Sequence, residues 1–432
     1  MSSSGVSSKA IFSPGKPLRG AISVPGCKGI SHRALLFAAL SDGRSVLRGL
    51  SLGGDVKSTL GVLEQLEIFA TPADGELALQ SRGYDLFTEP DDPLDCGNSG
   101  TTMRMLAGIL VSRPFHSVLV GDESLSSRPM ARIVDPLHMM GAKIASTDGH
   151  SPIEIDGGVL TGCRHDLPVA SGQVKSALLF AGMQASGWTE IHEPEPSRDH
   201  TERMLSALGA PIEVLDSTTV KVRAVGALDP FTLEIPGDAS SAAFFVVAAT
   251  IVPGSEITIK GVGLNPLRVA YLDVLIAMGA DIESEITEER LGEPVGDITV
   301  RSAPLKGVVI ESSEGIIDEL PILAVAAATA SGQTTITGAG EMRVKESDRI
   351  ATTVAMLEAL GVRAVATDDG MRIEGGSLAG GAVETYGDHR IAMCAAVAAL
   401  ACSGSTEIIG WDAVEVSYPG FEFDLARLRE RD

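Results

Sequence analysis

The sequence predicts an α/β protein (α+β repeats) of six units, grouped as two pseudo-symmetric globules of three units each. Three observations carry that reading. Six Ala-rich apolar segments recur along the chain, each opened by Pro, Gly, Ser or Asp and closed by small residues. A two-faced helical pattern follows most of them, often ending in Gly, and alternating runs then read as strands. The segments start roughly 65–85 residues apart, close to one sixth of the chain. With 432 residues, 44% hydrophobic and 21% charged, the chain has the length for two domains and the apolar content for a core in each.

The apolar segments are Val24–Leu40, Cys96–Leu110, Val169–Met183, Ile235–Thr250, Asp318–Gly332 and Thr385–Leu400. They are apolar nearly all round, which predicts buried helices. The segments ARIVDPLHMMGAKI, ERMLSALGAPIEV, RVAYLDVLIAMGADIE and RIATTVAMLEALGVRA carry apolar residues on one face only, so these helices are expected to be half exposed. Gly141, Gly209, Gly279 and Gly361 stand where each would end in a left-handed cap. Glu256–Lys260, Ile298–Arg301 and Thr334–Thr337 alternate as strands do. An extended stretch near Glu234–Asp238 marks a break between the third and fourth units.

A formal charge of −23 argues against a nucleic-acid or anionic-membrane partner, since either favours a basic face. The five cysteines, Cys27, Cys96, Cys163, Cys394 and Cys402, are scattered and never spaced CxxC, so no disulfide framework or zinc site is expected. The Ser-rich start has no apolar stretch of signal-peptide length. Ile391–Cys402 is far short of the ~20 residues of a membrane span. A cytoplasmic location is the expectation.

Several helix starts hold residues that a buried helix does not need. Lys28 and Arg33 open the first, Asp318 and Glu319 the fifth, and Asp388, His389 and Arg390 the sixth. Arg128 lies in a loop of the second unit, and MRVKESDRI brings Arg343, Lys345, Glu346, Asp348 and Arg349 together. Free N–H groups at a helix start favour anions, and a Lys or Arg there adds full positive charge. In so acidic a chain this gathering suits a small, multiply charged anion such as a phosphorylated carboxylic acid. Simpler roles stand beside this one. Asp348, Ser347 and Asp388 can cap helices, His389 can be a packed neutral histidine, and Arg104, inside the second helix, reads as structural. Cys27 reads as a small filler in a tight PGxK turn, against the alternative of a thiol activated by Lys28. There is no GxGxxG, HExxH or GxSxG, and GGDVKST lacks the Gly that precedes Lys in a Walker sequence.

PGCKGISHRALLFAAL resembles the PG-x-K-x-x-S-x-R-A-L-L opening of the 5-enolpyruvylshikimate-3-phosphate synthase family of enolpyruvyl transferases. GNSGTTMR (Gly97–Arg104), SSRPM (Ser126–Met130), RVKESDR (Arg343–Arg349) and GDHRIAM (Gly387–Met393) are similar to its later motifs, in order and spacing. The resemblance implies a two-domain inverse α/β barrel of six βαβαββ units, three per domain. Residues 23–235 would form one domain, residues 1–22 plus 236–432 the other, with the active site in the cleft between them. It also implies transfer of the enolpyruvyl group of phosphoenolpyruvate to the 5-hydroxyl of shikimate 3-phosphate, with release of phosphate, in the chorismate branch of aromatic amino-acid biosynthesis. No metal and no cofactor are expected, and a monomer is.

By that resemblance Lys28, Arg128, Arg349 and Arg390 would hold phosphoenolpyruvate, helped by Gln173 and the backbone at Gly100. Arg33, Ser171, Gln173, Ser197, Arg198 and Lys345 would hold shikimate 3-phosphate, at a site that Gly29 and Gly172 also line. Asp318 would take the proton of the attacking hydroxyl, and Glu346 with Lys28 would supply one to the methylene carbon. Glyphosate is the family's mimic of phosphoenolpyruvate. Three positions depart from the pattern. Gly29 stands where the family usually has Ser, Gly172 where many members have Ser, and Val416 where some have Lys. Two alternatives share the fold: transfer to UDP-N-acetylglucosamine, whose enzymes carry a reactive Cys absent from Gly121–Met130, and transfer to another cyclitol phosphate. A non-catalytic anion-binding protein is a third, which retention of Lys28, Asp318 and Glu346 argues against.

Overall fold

The computed structural model describes residues 8–51, 53–73 and 75–429. Residues 1–7, which include most of the Ser-rich start, lie outside the described residues. All six apolar segments form helices: α1 (Lys28–Leu40), α2 (Gly100–Leu110), α3 (Gly172–Gly182), α4 (Ala239–Ile251), α5 (Leu320–Thr329) and α6 (His389–Leu400). Each is buried along nearly its whole length. Half-exposed helices follow at Ala131–Met139, His200–Ala207, Pro266–Met278 and Arg349–Ala359, as the one-sided apolar pattern predicts. Gly141, Gly209, Gly279 and Gly361 all have positive φ (89°, 72°, 108° and 84°), the left-handed conformation in which glycine ends a helix without strain.

The chain divides into two compact units. One comprises Met1–Pro25, Gly237–Glu288 and Pro294–Asp432; the other comprises Gly26–Pro236 with Glu289–Glu293. The chain thus leaves the first unit after Pro25 and rejoins it at Gly237. Glu289–Glu293, the turn of a long hairpin whose strands are Asp281–Arg290 and Glu293–Arg301, groups with the second unit.

Each unit has three buried helices and three sheets, and one pattern recurs. In the second unit, strand Leu94–Asp95 runs parallel to His116–Val120 with α2 between them in sequence; His150–Asp156 and Lys143–Thr147 then add antiparallel. Strands Arg164–Asp166, Trp188–His192, Thr219–Arg223 and Ile212–Val214 repeat this order around α3. In the first unit, strands Val309–Glu311, Gln333–Thr337, Gly370–Glu374 and Arg363–Thr367 repeat it around α5. This is βαβαββ.

Two sheets borrow their first strand from elsewhere in the chain. Asp42–Arg48, which follows α1, pairs in parallel with Thr232–Glu234, the last strand before the chain leaves the second unit. Glu256–Gly263, which follows α4, pairs in parallel with Arg19–Ile22, the last strand before the chain first leaves the first unit. The sixth sheet has three strands, and Lys9–Phe12 closes it by pairing antiparallel with Thr406–Ile409.

Small residues let the inner helices approach. A Cβ at Gly108 on α2 would stand 2.1 Å from the main-chain oxygen of Ala177 on α3, so only glycine fits there. No helix among the described residues is long and apolar enough to cross a membrane.

Candidate active site

The expected site residues fall into two constellations, one in each unit. In the second unit they gather at the starts of α1, α2 and α3. Lys28 is the first residue of α1, and Cys27 before it is buried and supplies no side-chain cap. The Lys28 ammonium lies 2.8 Å from an Asp55 carboxylate oxygen. Arg33, one turn on, is buried and braces three helices. Its Nε donates to the Thr201 hydroxyl (2.6 Å), Nη1 to the Gly29 carbonyl (2.9 Å), and Nη2 to the Ser176 hydroxyl (2.8 Å) and the Gly172 carbonyl (3.4 Å). Burial lowers its pKa to about 10, partly offset by the nearby Glu202 carboxylate, so it stays charged at neutral pH.

Gly100 opens α2, and Ser99 caps it by accepting a hydrogen bond from the Thr102 amide. A Cβ at Gly100 would stand 3.1 Å from Nη1 of Arg104 and 3.6 Å from Nη1 of Arg128, so this glycine borders two guanidinium groups. Arg104 donates to the Gln173 side-chain oxygen (2.5 Å) and the Pro129 carbonyl (3.2 Å), while the Gln173 amide donates to the Thr101 hydroxyl (2.9 Å). The structural role expected of Arg104 is thus concrete: it aims Gln173 at the start of α2. Arg128 donates to the Asn98 side-chain oxygen (2.7 Å), and Asn98 in turn donates to Asp122.

Ser171 caps α3, and its amide donates to Glu193 (2.9 Å). The Ser197 hydroxyl donates to the other oxygen of Glu193 (2.8 Å). Beneath them the buried Lys175 ammonium lies between Glu193 (2.7 Å) and Glu202 (2.8 Å). A Cβ at Gly172 would meet the Arg198 main-chain oxygen and Cβ at 3.1 Å each, so a side chain there would press on the half-buried Arg198. At Gly29 the nearest atoms to an added Cβ are Arg33 Nη1 at 3.5 Å and the His200 ring at 3.6 Å, ordinary contact distances. That departure has no steric cause.

In the first unit the constellation is built around Asp318, in the turn before α5. Its carboxylate lies 3.6 Å from Lys345, 3.5 Å from Arg349 and 3.8 Å from Arg390, and its carbonyl accepts from Arg390 at 2.8 Å. Arg349 is only 1% exposed and faces two further carboxylates: Glu346 at 2.6 Å and Asp388 at 2.8 Å. Burial opposes its charge, but Glu346 and Asp388 hold its pKa above the ordinary arginine value. Asp388 caps α6, as its sequence position allows, by accepting from the Arg390 amide. Burial works against the Asp388 carboxylate too, yet Arg349 leaves its pKa below the usual range. His389 is a packed neutral histidine. Burial, then the Arg349 and Arg390 charges, lowers it to about 4. Glu319 is buried and accepts from Ser240, with Arg390 at 3.6 Å and Arg268 at 3.7 Å. Val416 lies half exposed in a short helix, Trp411–Val416.

The sequence reading names both the cations and the carboxylates of the first unit's constellation, but in the second unit it misses Asp55, Glu193, Glu202 and the buried Lys175. Asp55 lies in GGDVKST and Glu202 opens ERMLSALGAPIEV, yet only tertiary contact brings them and Glu193 to Lys28 and Lys175. Asn98 was within reach, since it lies inside GNSGTTMR two residues before Gly100.

Comparison with known proteins completes the picture. Residues 12–425 match the family described as EPSP synthase (3-phosphoshikimate 1-carboxyvinyltransferase). Relatives named 3-phosphoshikimate 1-carboxyvinyltransferase include one from Acidithiobacillus ferrooxidans, 49% identical over 411 residues (94% of this chain, 95% of that one). Another, from Xanthomonas euvesicatoria, is 48% identical over 413 residues (94% of each chain). The solved EPSP synthase from Acinetobacter baumannii superposes with a TM-score of 0.88 at 41% identity, covering 98% of both chains. The enolpyruvyl transferase NikO from Streptomyces tendae shares the fold (TM-score 0.79, 19% identity, 98% of both chains). The six repeated units, the motifs they carry at their helix starts and this likeness along the whole chain agree: the chain is a two-domain inverse α/β protein and belongs to the EPSP synthase family.

Proposed function

We infer that this chain transfers the enolpyruvyl group of phosphoenolpyruvate to the 5-hydroxyl of shikimate 3-phosphate and releases phosphate. The observation that carries this reading is Asp318, a carboxylate set 3.5–3.8 Å from three cations, Lys345, Arg349 and Arg390. A base that must act beside two multiply charged anions needs its own charge and theirs compensated, and this arrangement supplies both.

In the addition step Asp318 accepts the proton of the attacking hydroxyl, whose oxygen bonds to the central carbon of phosphoenolpyruvate. Glu346, with Lys28, delivers a proton to the methylene carbon. In the elimination step the roles reverse: the bond from that carbon to the phosphate oxygen breaks as the proton held by Asp318 passes to the departing phosphate, a methyl proton returns to Glu346 with Lys28, and the enol double bond re-forms. Lys28, Arg128, Arg349 and Arg390 address phosphoenolpyruvate. Gln173, aimed by Arg104, and the backbone at Gly100 complete that subsite. Arg33, Ser171, Ser197, Arg198 and Lys345 address shikimate 3-phosphate, with Gly29 and Gly172 lining it. In this reading the catalyst is a cytoplasmic monomer with no nucleic-acid or membrane partner, in keeping with its strong negative charge.

The test is phosphate release from phosphoenolpyruvate with shikimate 3-phosphate, with UDP-N-acetylglucosamine as the control acceptor. Release with the first alone is expected. Release with the second, or with neither, overturns the assignment.

A further inference from the structure

We propose that His200 is a binding residue for the acceptor substrate, acting through the space that Gly29 leaves open. This rests on the function inferred above and extends it to a residue outside the expected site. His200 opens the helix His200–Ala207 and is only 2% exposed. Its Nδ1 lies 2.7 Å from a carboxylate oxygen of Glu293, itself buried on the hairpin turn that groups with this unit. That contact fixes the ring: Nδ1 carries the proton that Glu293 accepts, and Nε2 is the atom left to meet a ligand.

Among the described residues Nε2 has no hydrogen-bond partner. Nε2 is not sealed from solvent, so its unmade hydrogen bond is open to a ligand. The ring edge faces the start of α1. A Cβ at Gly29 would stand 3.6 Å from Cδ2 and 3.9 Å from Nε2 of His200, and 3.5 Å from Nη1 of Arg33. Gly29 is half-buried, so this edge of the imidazole borders ground that a ligand can reach. With Nδ1 donating to Glu293, Nε2 accepts, so the group it meets is a hydroxyl of the ligand, while the Arg33 guanidinium on the same side is left for an anionic oxygen.

A hydroxyl on residue 29 would extend about 1.4 Å beyond the Cβ, within hydrogen-bond reach of Nε2. Glycine therefore uncovers the histidine, and a serine would cover it. Position 29 and His200 act as one recognition element, in which this chain reads the acceptor with an imidazole nitrogen.

Two near-isosteric variants separate binding from structure. His200→Asn keeps a donor at the Nδ1 position for Glu293 and removes Nε2. His200→Gln places an amide near the Nε2 position and gives up the Glu293 contact. By calorimetry with shikimate 3-phosphate, His200→Asn is expected to weaken binding about tenfold or more, with His200→Gln closer to wild type. In a Gly29→Ser background, where the hydroxyl already occupies Nε2, His200→Asn is expected to cost much less. Wild-type affinity in His200→Asn, the reverse order of the two variants, or equal losses in both backgrounds would overturn the proposal. The wild-type protein separates this from failure of the function: if it neither binds shikimate 3-phosphate nor releases phosphate with it, the functional reading fails instead.

Discussion

Replacing Asp388 with asparagine removes one negative charge from beside the buried Arg349 guanidinium while keeping the shape of the side chain. Asp388 does two things at once. It caps α6 through the Arg390 amide at 2.9 Å, and it accepts from Arg349 at 2.8 and 3.3 Å. Asparagine caps about as well as aspartate, so the cap survives in Asp388→Asn. The lost charge does not. Truncating one partner of a buried ion pair costs ~3–5 kcal/mol when nothing else compensates. Here Glu346 at 2.6 Å and Asp318 at 3.5 Å remain, so the expected loss is nearer the ~1.5–3 kcal/mol of a charge-assisted hydrogen bond. Asp388→Ala also loses the cap, a further ~1 kcal/mol. The sign with pH follows from the depressed pKa of Asp388. Its stabilisation is present above the unfolded value of ~3.9 and fades as pH falls through the folded value, so the gap to Asp388→Asn closes below about pH 4. Urea unfolding at pH 7 and at a series of lower pH values reads both effects. A difference within ~0.5 kcal/mol at pH 7, about the size of an ordinary surface change, would refute the reasoning. So would a gap that persists unchanged on acidification.

Four other outcomes follow from named contacts. Asp318→Asn keeps the volume but removes the base, so turnover should fall ~10²-fold or more while both substrates still bind; wild-type phosphate release would remove Asp318 from the mechanism. Gly100→Ala places a methyl 3.1 Å from Arg104 and 3.6 Å from Arg128, so inhibition by glyphosate should weaken more than the KM for phosphoenolpyruvate rises; equal changes, or none, would take Gly100 out of the subsite. Burial lowers His32 to about 3 against an unfolded value near 6.5, so the unfolded chain binds the extra proton and stability falls as pH drops between those values. His32→Asn should flatten that slope by up to ~1.4 kcal/mol per pH unit, and an unchanged slope in urea midpoints from pH 7 to 5 contradicts it. Gly108→Ala drives a methyl into the Ala177 carbonyl and should cost ~3 kcal/mol or more, whereas Gly158→Ala, with open space around it, should cost little; similar urea curves for the two would refute the close approach.

The helices were legible because two local properties coincide in them. Stretches such as ASSAAFFVVAATI are apolar on every side, and the glycines that end the half-exposed helices follow at the expected position. The parallel pairing of Thr232–Glu234 with Asp42–Arg48 was not legible, because nothing in three residues specifies a partner so far away in the chain. The same holds for charge. RVKESDR and DHR announce Arg349 and Arg390, and Asp388 reads as a cap. That Asp388 also balances Arg349 depends on how α6 meets the helix Arg349–Ala359, which neither segment encodes alone. His200 has no motif in the sequence reading, and Glu293, its partner, lies 93 residues further along the chain.

The borrowed strands set an order of events during synthesis. The second unit is nearly continuous, and its first sheet is complete once Thr232–Glu234 has been made. In the first unit, Lys9–Phe12 is made about 400 residues before its partner Thr406–Ile409. At roughly 5–20 residues per second that is a wait of about 20–80 s with an unpaired edge. The strand is short, with Lys9 and Ile11 exposed and Phe12 alone fully buried, so it offers little to a wrong partner meanwhile. A ribosome stalled beyond Glu293 but short of Thr406 would therefore carry one globule ready to close and another still open, exposed to proteases at its amino-terminal strand.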